Sequence, residues 1–186
     1  MYRSLAIVLA LAALLVAVVA GVAWAANVIQ CPNPHGTTPY CDGTDGKDVM
    51  KGTAKIDAMR AARGADIMYG YKGADRLYGS EGPDIGYGGP GDDELGSGCD
   101  GIPCGRDEYH GGPGADRIVG NPKSEKLFGG RGDDEIVDYW SNQLPGYDPS
   151  EHPDVIRCGP GYDVVYYDKG VEKVAGDCEE LIPVRR

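Results

Sequence analysis

The feature that most constrains the fold of this sequence is an aspartate that recurs at every ninth position. Glycines cluster just before most of these aspartates, which are Asp48, Asp57, Asp66, Asp75, Asp84 and Asp93. A period of nine matches neither the helix period of about 3.6 residues nor the strand period of about two. A short fixed period instead predicts one structural unit that is stacked on copies of itself.

Each unit is a six-residue loop that ends in the acidic residue, followed by three residues with a large apolar residue in the middle. Gly86 is the one exception to the middle positions, which are otherwise Met50, Met59, Met68, Leu77, Leu95, Tyr109, Ile118, Leu127, Ile136, Ile156 and Val165. Because neighbouring residues of a strand face opposite sides of a sheet, the middle residue is predicted to point inward. The pattern predicts an all-β solenoid with a narrow core and no helix after residue 26.

The first interruption of the period lies between Asp93 and Asp107, which are 14 residues apart instead of nine. The five additional residues predict a small loop around Cys99 and Cys104. A second block then keeps the nine-residue interval, with the acidic residues Asp107, Asp116, Glu125 and Asp134.

The second interruption lies between Asp134 and Asp154, which are 20 residues apart. We interpret this interval as two units plus two residues, with a degenerate unit near Gln143 that bulges into a surface loop. Asp163 then follows Asp154 by nine residues. The predicted organisation is a signal peptide over 1–25, an irregular N-terminal cap over 26–42, a β-roll over 43–168 with inserts near 97–106 and 138–153, and a C-terminal cap over 169–186.

The first 25 residues have the composition of an export segment. Arg3 provides the positive charge, residues 5–22 are nearly all Ala, Val and Leu, and Ala23-Trp24-Ala25 fits a small-x-small cleavage site. The apolar stretch is also long enough for an uncleaved membrane anchor, since about 20 apolar residues span a bilayer. Both interpretations place the rest of the chain outside the cytoplasm.

The six cysteines agree with an oxidising compartment. They form three local pairs along the chain, Cys31 with Cys41, Cys99 with Cys104, and Cys158 with Cys178. A rigid stack favours disulfides between such neighbours. A zinc site is the alternative, but the Cys-x4-Cys spacing lacks a matching second half.

The acidic balance of the chain restricts its partners. The formal net charge is −11, from 29 acidic and 18 basic residues. Nucleic acid would be repelled by this charge, whereas regularly spaced carboxylates suit cations. Glycine-rich loops can turn backbone carbonyls toward one point, and carbonyls mixed with carboxylates are the ligands that calcium prefers. The repeats offer no His or Cys set for a transition metal.

Three loops carry every glycine and aspartate of one motif, namely Gly88-Gly-Pro-Gly-Asp-Asp93, Gly111-Gly-Pro-Gly-Ala-Asp116 and Gly129-Gly-Arg-Gly-Asp-Asp134. Over residues 43 to 168 the chain resembles the hemolysin-type (RTX) calcium-binding nonapeptide-repeat proteins. The resemblance implies a right-handed parallel β-roll with two units per turn and several calcium ions between stacked turns.

With two units per turn, loops on one flank are 18 residues apart. One flank then carries Asp57, Asp75, Asp93, Asp116 and Asp134, and the other carries Asp48, Asp66, Asp84, Asp107 and Glu125. We predict the tightest calcium sites between loops 70–75, 88–93, 111–116 and 129–134. The predicted metal-site residues are Asp75, Gly88, Gly89, Gly91, Asp93, Gly111, Gly112, Gly114, Asp116, Gly129, Gly130, Gly132 and Asp134, together with Asp48, Asp66, Asp84 and Asp163.

The same phasing makes predictions for the outer faces of the two sheets. One face is expected to alternate in charge from turn to turn, through Arg76, Glu94, Arg117 and Glu135. The other is expected to carry an apolar patch of Ile67, Tyr69, Ile85 and Tyr87. We interpret this patch as a stacking ladder that stiffens the roll, and a binding surface is the alternative.

The predicted function is a secreted, calcium-binding β-roll protein that folds on extracellular calcium and acts as a structural or interaction module. Because the sequence contains no His-Glu-x-x-His and no Gly-x-Ser-x-Gly motif, an enzyme is not expected. The alternative is a non-catalytic remnant or accessory of a secreted protease or lipase. The predicted location is extracellular and the source bacterial, with contact to a membrane only if the N-terminal segment is uncleaved. No protein or cell-surface partner can be read from the sequence.

Overall fold

The structure is a computed structural model that describes residues 26–31, 40–98, 104–138, 153–168 and 173–184. These residues form sixteen β-strands and no helix. Accordingly, no helix able to cross a membrane occurs in the described part of the chain. The predicted signal peptide over 1–25 lies outside the described residues.

The strands alternate along the chain between two eight-stranded parallel sheets. Sheet A contains β1 (Asn27–Gln30), β3 (Asp48–Lys51), β5 (Ile67–Tyr69), β7 (Ile85–Tyr87), β9 (Glu108–Pro113), β11 (Lys126–Arg131), β13 (Val155–Arg157) and β15 (Lys173–Val174). Sheet B contains β2 (Cys41–Asp42), β4 (Ala58–Arg60), β6 (Arg76–Tyr78), β8 (Glu94–Gly96), β10 (Arg117–Val119), β12 (Glu135–Asp138), β14 (Val164–Asp168) and β16 (Glu180–Val184). Each strand pairs with the strand two places along the chain, which confirms a parallel β-solenoid with two units per turn.

The core lies between the two sheets and is filled by the middle residue of each strand. Ile118, for example, is in register with Leu95 on one side and Ile136 on the other. All eleven predicted inward residues are completely buried, namely Met50, Met59, Met68, Leu77, Leu95, Tyr109, Ile118, Leu127, Ile136, Ile156 and Val165. The flanking strand residues point outward, so the core is confirmed to be one residue deep in each sheet.

The exception at Gly86 is compensated by the residue that follows it in the stack. Gly86 is in register with Tyr109, and a Cβ added to Gly86 would lie 2.7 Å from the Tyr109 ring. The Tyr109 hydroxyl continues past the core and donates a hydrogen bond to Asp107 at 3.4 Å. One turn therefore supplies the side chain that its neighbour lacks.

The two ends of the solenoid are formed by additional strands, in contrast to the irregular N-terminal cap that the composition predicted. β1 pairs with β3 and β2 pairs with β4, so both sheets begin within residues 26–42. At the other end, β15 and β16 extend sheets A and B. Parallel pairing needs only backbone groups, which explains why proline-rich composition next to these strands did not reveal them.

The disulfides that fasten the two ends of the solenoid are confirmed. Cys31 and Cys41 are joined with a Cα separation of 5.6 Å, and Cys158 and Cys178 with a separation of 5.2 Å. The third predicted pair includes Cys99, which lies outside the described residues.

The interval between Asp134 and Asp154 contains one unit step, so the prediction of two units plus two residues is wrong. Leu127 pairs directly with Ile156, and Ile136 pairs directly with Val165. The interval is thus one unit with 20 − 9 = 11 additional residues. Spacing alone cannot distinguish a degenerate unit from a long loop, whereas strand register can. Gln143, at the centre of the predicted unit, is outside the described residues.

The outer face of sheet A carries a row of stacked rings. Tyr69 and Tyr87 are in register, with ring centroids 5.2 Å apart and planes within 8°. The row continues from Tyr87 to His110 at 4.9 Å and from His110 to Phe128 at 4.5 Å. The stacking predicted for Tyr69 and Tyr87 is therefore present and extends over two further turns.

The outer face of sheet B carries the predicted alternation of charge. Arg76 forms an ion pair with Glu94 at 3.3 Å, and Arg117 forms one with Glu135 at 3.3 Å. Glu94 is also in register with Arg117. These groups are largely exposed, so each pair contributes only about 0–1 kcal/mol to the free energy of unfolding.

The pairing of Gly86 with Tyr109 predicts strong coupling between the two positions. We expect Gly86→Leu to destabilise the fold by about 1–3 kcal/mol, because its side chain would occupy the space of the Tyr109 ring. In the double variant Gly86→Leu/Tyr109→Leu, both positions carry an aliphatic residue as in the regular core. Its loss of unfolding free energy should therefore be smaller than the sum of the losses in the two single variants. Urea unfolding in saturating calcium measures all three, and additive losses would contradict the compensation.

Candidate metal centre

The acidic residues of the repeat form two rows along the solenoid, one on each flank. We call row B those that directly precede strands of sheet B, namely Asp57, Asp75, Asp93, Asp116, Asp134 and Asp163. Row A comprises those that precede or begin strands of sheet A, namely Asp48, Asp66, Asp84, Asp107, Glu125 and Asp154. All of them are at most 6% exposed, and neighbours in a row are one turn apart. The predicted phasing is confirmed, including across the insertion that follows Asp93.

From Asp75 onward, each carboxylate in row B is fixed by the backbone of the preceding turn. The N–H of Asp75 donates to Oδ1 of Asp93 at 2.7 Å, and the N–H of Asp93 donates to Oδ1 of Asp116 at 2.8 Å. Asp134 and Asp163 accept the same bond from the turns before them. The pattern orients every carboxylate in the same way and leaves its second oxygen to other partners.

The second carboxylate oxygen is buried and has no hydrogen-bond partner within the described residues. This holds for Oδ2 of Asp75, Asp93, Asp116, Asp134 and Asp163 in row B, and of Asp66 and Asp84 in row A. An unpaired carboxylate oxygen is costly to bury, and coordination of a cation offsets that cost. The aligned oxygens therefore fit a row of hard cations.

The loops of row B bring backbone carbonyl oxygens close to the next turn. In loop 88–93, Gly89 has φ 106° and Gly91 has φ 150°. A Cβ at either position would collide with the carbonyl oxygen of Tyr71 or Gly73 in the preceding turn. Glycine is therefore required both by the backbone conformation and by the close approach. The same positive φ recurs at Gly112, Gly114, Gly130 and Gly132.

The first glycine of each loop has a different role. A Cβ on Gly88 would collide with Oδ2 of Asp93, because the carboxylate folds back over its own loop. The same collision would occur at Gly111 with Asp116 and at Gly129 with Asp134. The first glycine thus admits the carboxylate into the loop, and the donor set around it is carbonyl and carboxylate oxygen, as calcium requires.

The electrostatic state of the rows reflects burial of like charges. Burial raises the pKa of Asp93 and Asp134 to about 6 and of Asp75 to about 7, although a backbone N–H bond lowers each pKa in part. Burial and the charges of its neighbours raise the pKa of Asp84, in row A, to about 8. Because the charged forms are disfavoured when no cation is bound, either protons or cations must neutralise the rows.

Two loops near the N-terminal end provide threonine groups that bond their carboxylates, completely at Asp48 and at one oxygen of Asp57. The Thr44 N–H donates to Asp48 at 2.6 Å, and the Thr44 hydroxyl lies 3.1 and 3.0 Å from its two oxygens. Thr53 donates to Oδ2 of Asp57, at 2.6 Å from N–H and 2.9 Å from the hydroxyl, whereas Oδ1 of Asp57 is buried and has no hydrogen-bond partner within the described residues. Threonine stands here at the second loop position, where the consensus has glycine. A cation at Asp48 would have to compete with these bonds.

The structure brings the sequence-predicted site residues together in two different settings. Loops 70–75, 88–93, 111–116 and 129–134 are consecutive in row B, as predicted. Asp163 joins them next to Asp134, since the corrected interval shifts it to this flank. Asp66 and Asp84 lie in row A with the same orientation. Asp138 was not among the predicted site residues. Its signal in the sequence is an acidic residue at the first position of a loop, where the corresponding loop has Gly120.

A family model described as the RTX calcium-binding nonapeptide repeat (4 copies) matches residues 42–77, 61–95 and 110–137. The chain therefore carries RTX calcium-binding repeats, and the resemblance inferred from the glycine and aspartate pattern is confirmed. Comparison with curated proteins and with solved structures gave no match. Fold and repeat together define a calcium-binding β-solenoid module.

The contrast between the two kinds of loop predicts different effects of removing a carboxylate. We expect Asp116→Asn to reduce the number of calcium ions bound per chain, because the unpaired Oδ2 is lost from row B. Asp48→Asn should leave that number unchanged, because both oxygens of the Asp48 carboxylate are already hydrogen-bonded by Thr44. Equilibrium dialysis with radioactive calcium measures both, and equal losses in the two variants would contradict the distinction.

The raised pKa values predict opposite effects of acid on the calcium-free and calcium-bound chain. Without calcium, folded-state pKa values of about 6 to 8 exceed the unfolded value of about 3.9, so the folded state binds more protons. Its stability is therefore greatest near pH 4 and is lost as pH rises through 6 to 8.

Calcium competes with these protons, so its apparent affinity should fall from pH 8 to pH 5, and its binding at pH 7 should release protons. Circular dichroism of the calcium-free chain and calorimetric titration in buffers of different ionisation enthalpy measure the two effects. Greater β-content at pH 8 than at pH 4.5 without calcium would contradict the prediction.

Proposed function

We propose that the chain is a secreted, non-catalytic module whose β-roll folds when calcium binds outside the cell. Once folded, it serves as a rigid structural or interaction element. The observation that supports this most strongly is the row of buried carboxylate oxygens from Asp75 to Asp163, one per turn, that have no hydrogen-bond partner in the part of the chain that the structure describes.

Dependence of folding on calcium follows from the balance of forces in the solenoid. The core is one residue deep in each sheet, so apolar burial is small for the length of chain. Row B carboxylates stand one turn apart, about 4.8 Å, and repel each other when charged. A metal that binds only the folded arrangement contributes its binding free energy to folding.

An extracellular location agrees with three separate features. RTX repeat proteins are typically extracellular and bacterial, and the two described disulfides require an oxidising environment. The third feature is the predicted export segment over 1–25. Calcium modules outside the cell work with dissociation constants of about 10⁻⁴–10⁻³ M, which suits a protein that folds only after export.

A structural or interaction role fits the outer faces of the two sheets. The ring row of Tyr69, Tyr87, His110 and Phe128 packs against itself and stiffens the stack. The charged face of sheet B is likewise engaged in pairs between turns. These contacts favour a rigid rod, and the absence of His-Glu-x-x-His and Gly-x-Ser-x-Gly motifs favours a non-catalytic role.

Circular dichroism during calcium titration tests the proposal. We expect a largely disordered spectrum in calcium-free buffer at pH 7.5 and a β-rich spectrum in millimolar calcium. Magnesium at the same concentration is the control, because it demands compact octahedral geometry and should not substitute for calcium. A β-rich spectrum that calcium removal leaves unchanged would overturn the dependence of folding on calcium.

A further inference from the structure

Three buried carboxylates converge on the flank of row A, near the second insertion. Glu125, Asp138 and Asp154 each offer one oxygen, and these oxygens all lie within 4.8 Å of one another. The three residues are 2%, 4% and 6% exposed. Two calcium ligands on opposite sides of an ion are separated by up to about 5 Å, so the three oxygens can share one ion.

The three carboxylates come from both sheets. Glu125 directly precedes β11 and Asp154 directly precedes β13, which are neighbours in sheet A. Asp138 ends β12 in sheet B. One turn earlier its place is taken by Gly120, and a Cβ on Gly120 would lie 2.6 Å from Oδ1 of Asp138. The Asp138 carboxylate therefore turns inward under the preceding loop, toward Glu125.

An unpaired oxygen of Glu125 points independently to a ligand. Its Oε2 accepts the N–H of Asn121 at 2.6 Å, whereas its Oε1 is buried and has no hydrogen-bond partner within the described residues. The Glu125 N–H in turn donates to Oδ1 of Asp154 at 2.5 Å, which fixes the two acids relative to each other.

The neighbouring Asp107 shows what a carboxylate of this flank looks like when protein groups satisfy it. Its Oδ2 accepts hydrogen bonds from the Asn121 amide at 2.9 Å and the Tyr109 hydroxyl at 3.4 Å. Its Oδ1 accepts the N–H of Asp84 at 2.9 Å. Asp107 therefore offers no unpaired oxygen, in contrast to Oε1 of Glu125.

The group differs from the loops of row B in the source of its oxygens. No residue of loop 120–125 has positive φ, whereas loops 111–116 and 129–134 have two each. Without that curl the loop cannot present carbonyls as row B does. Carboxylates replace them, and an oxygen-only donor set of this kind selects a hard divalent cation.

We propose that Glu125, Asp138 and Asp154 bind one calcium ion in a carboxylate-built site that joins the two sheets on the flank opposite row B. The site adds an ion to the array of the proposed function and rests on it only in the identity of the cation. Since calcium affinity rises with the charge of the ligands, this ion is held more tightly than those of the carbonyl-lined loops.

Calcium binding by a variant of Asp138 tests the proposal. We expect Asp138→Asn to lose one calcium ion per chain in equilibrium dialysis, or to bind its tightest ion at least tenfold more weakly. Glu135→Gln is the matched control. It removes a carboxylate from the same strand, but this carboxylate faces solvent and pairs with Arg117. If Asp138→Asn binds the same number of calcium ions as the unaltered chain, with the same affinities, the proposed site is overturned.

Two further measurements keep the outcome decisive. If Asp138→Asn does not fold, Asp138→Gly takes its place, because it introduces the glycine that stands at the corresponding position 120. It should show the same loss of one calcium ion. Crystals of the unaltered chain with terbium should give an anomalous peak among the three carboxylates. Peaks along row B alone would overturn this site and leave the proposed function intact, whereas an unaltered chain that binds no calcium would overturn both.

Discussion

The hydrogen bond from the backbone N–H of one acidic residue to the carboxylate one turn later is the interaction on which the solenoid depends. Asp75, Asp93, Asp116 and Asp134 are joined in series in this way. The bond sets the register between turns and orients each side chain. It also forces buried carboxylates into a row about 4.8 Å apart. The fold therefore creates the charge problem that a bound cation resolves.

The chain resolves this problem differently along its length. Threonine hydroxyls bond the carboxylates of Asp48 and Asp57 near the N-terminal end, and Asn121 with Tyr109 does so at Asp107. In the middle of row B the second oxygens have no hydrogen-bond partner among the residues that the structure describes. Among those residues, unpaired oxygens therefore run from Asp57 and Asp66 to Asp163, whereas protein hydrogen bonds satisfy Asp48 and Asp107.

The repeat period predicted the inward residues. Together with the two units per turn that the resemblance implies, it also predicted the two sheets and the phase of the loops across the first insertion. Five additional residues leave the nine-residue period recognisable on both sides, so Asp116 could be aligned with Asp93. The 20-residue interval fits more than one division, and only strand register assigned Asp163 to row B. The filling of the Gly86 position by Tyr109 depends on a contact between turns. The hydrogen bonds from Thr44 to Asp48 depend on side-chain contacts within one loop, and the spacing reports neither.

Both insertions lie on the same flank, and both leave the stacking of the turns intact. The first follows β8 and the second follows β12, so both lead from sheet B to sheet A. Five loops run in the other direction without interruption, from 70–75 to 158–163. In these loops a glycine Cα meets a carbonyl oxygen of the neighbouring turn so closely that even a Cβ would collide. The flank with the insertions makes the same approach, because a Cβ on Gly82 or Gly105 would collide with the carbonyl oxygen of Gly64 or Gly82. The first insertion is accommodated before Gly105, so it leaves this contact between the turns intact.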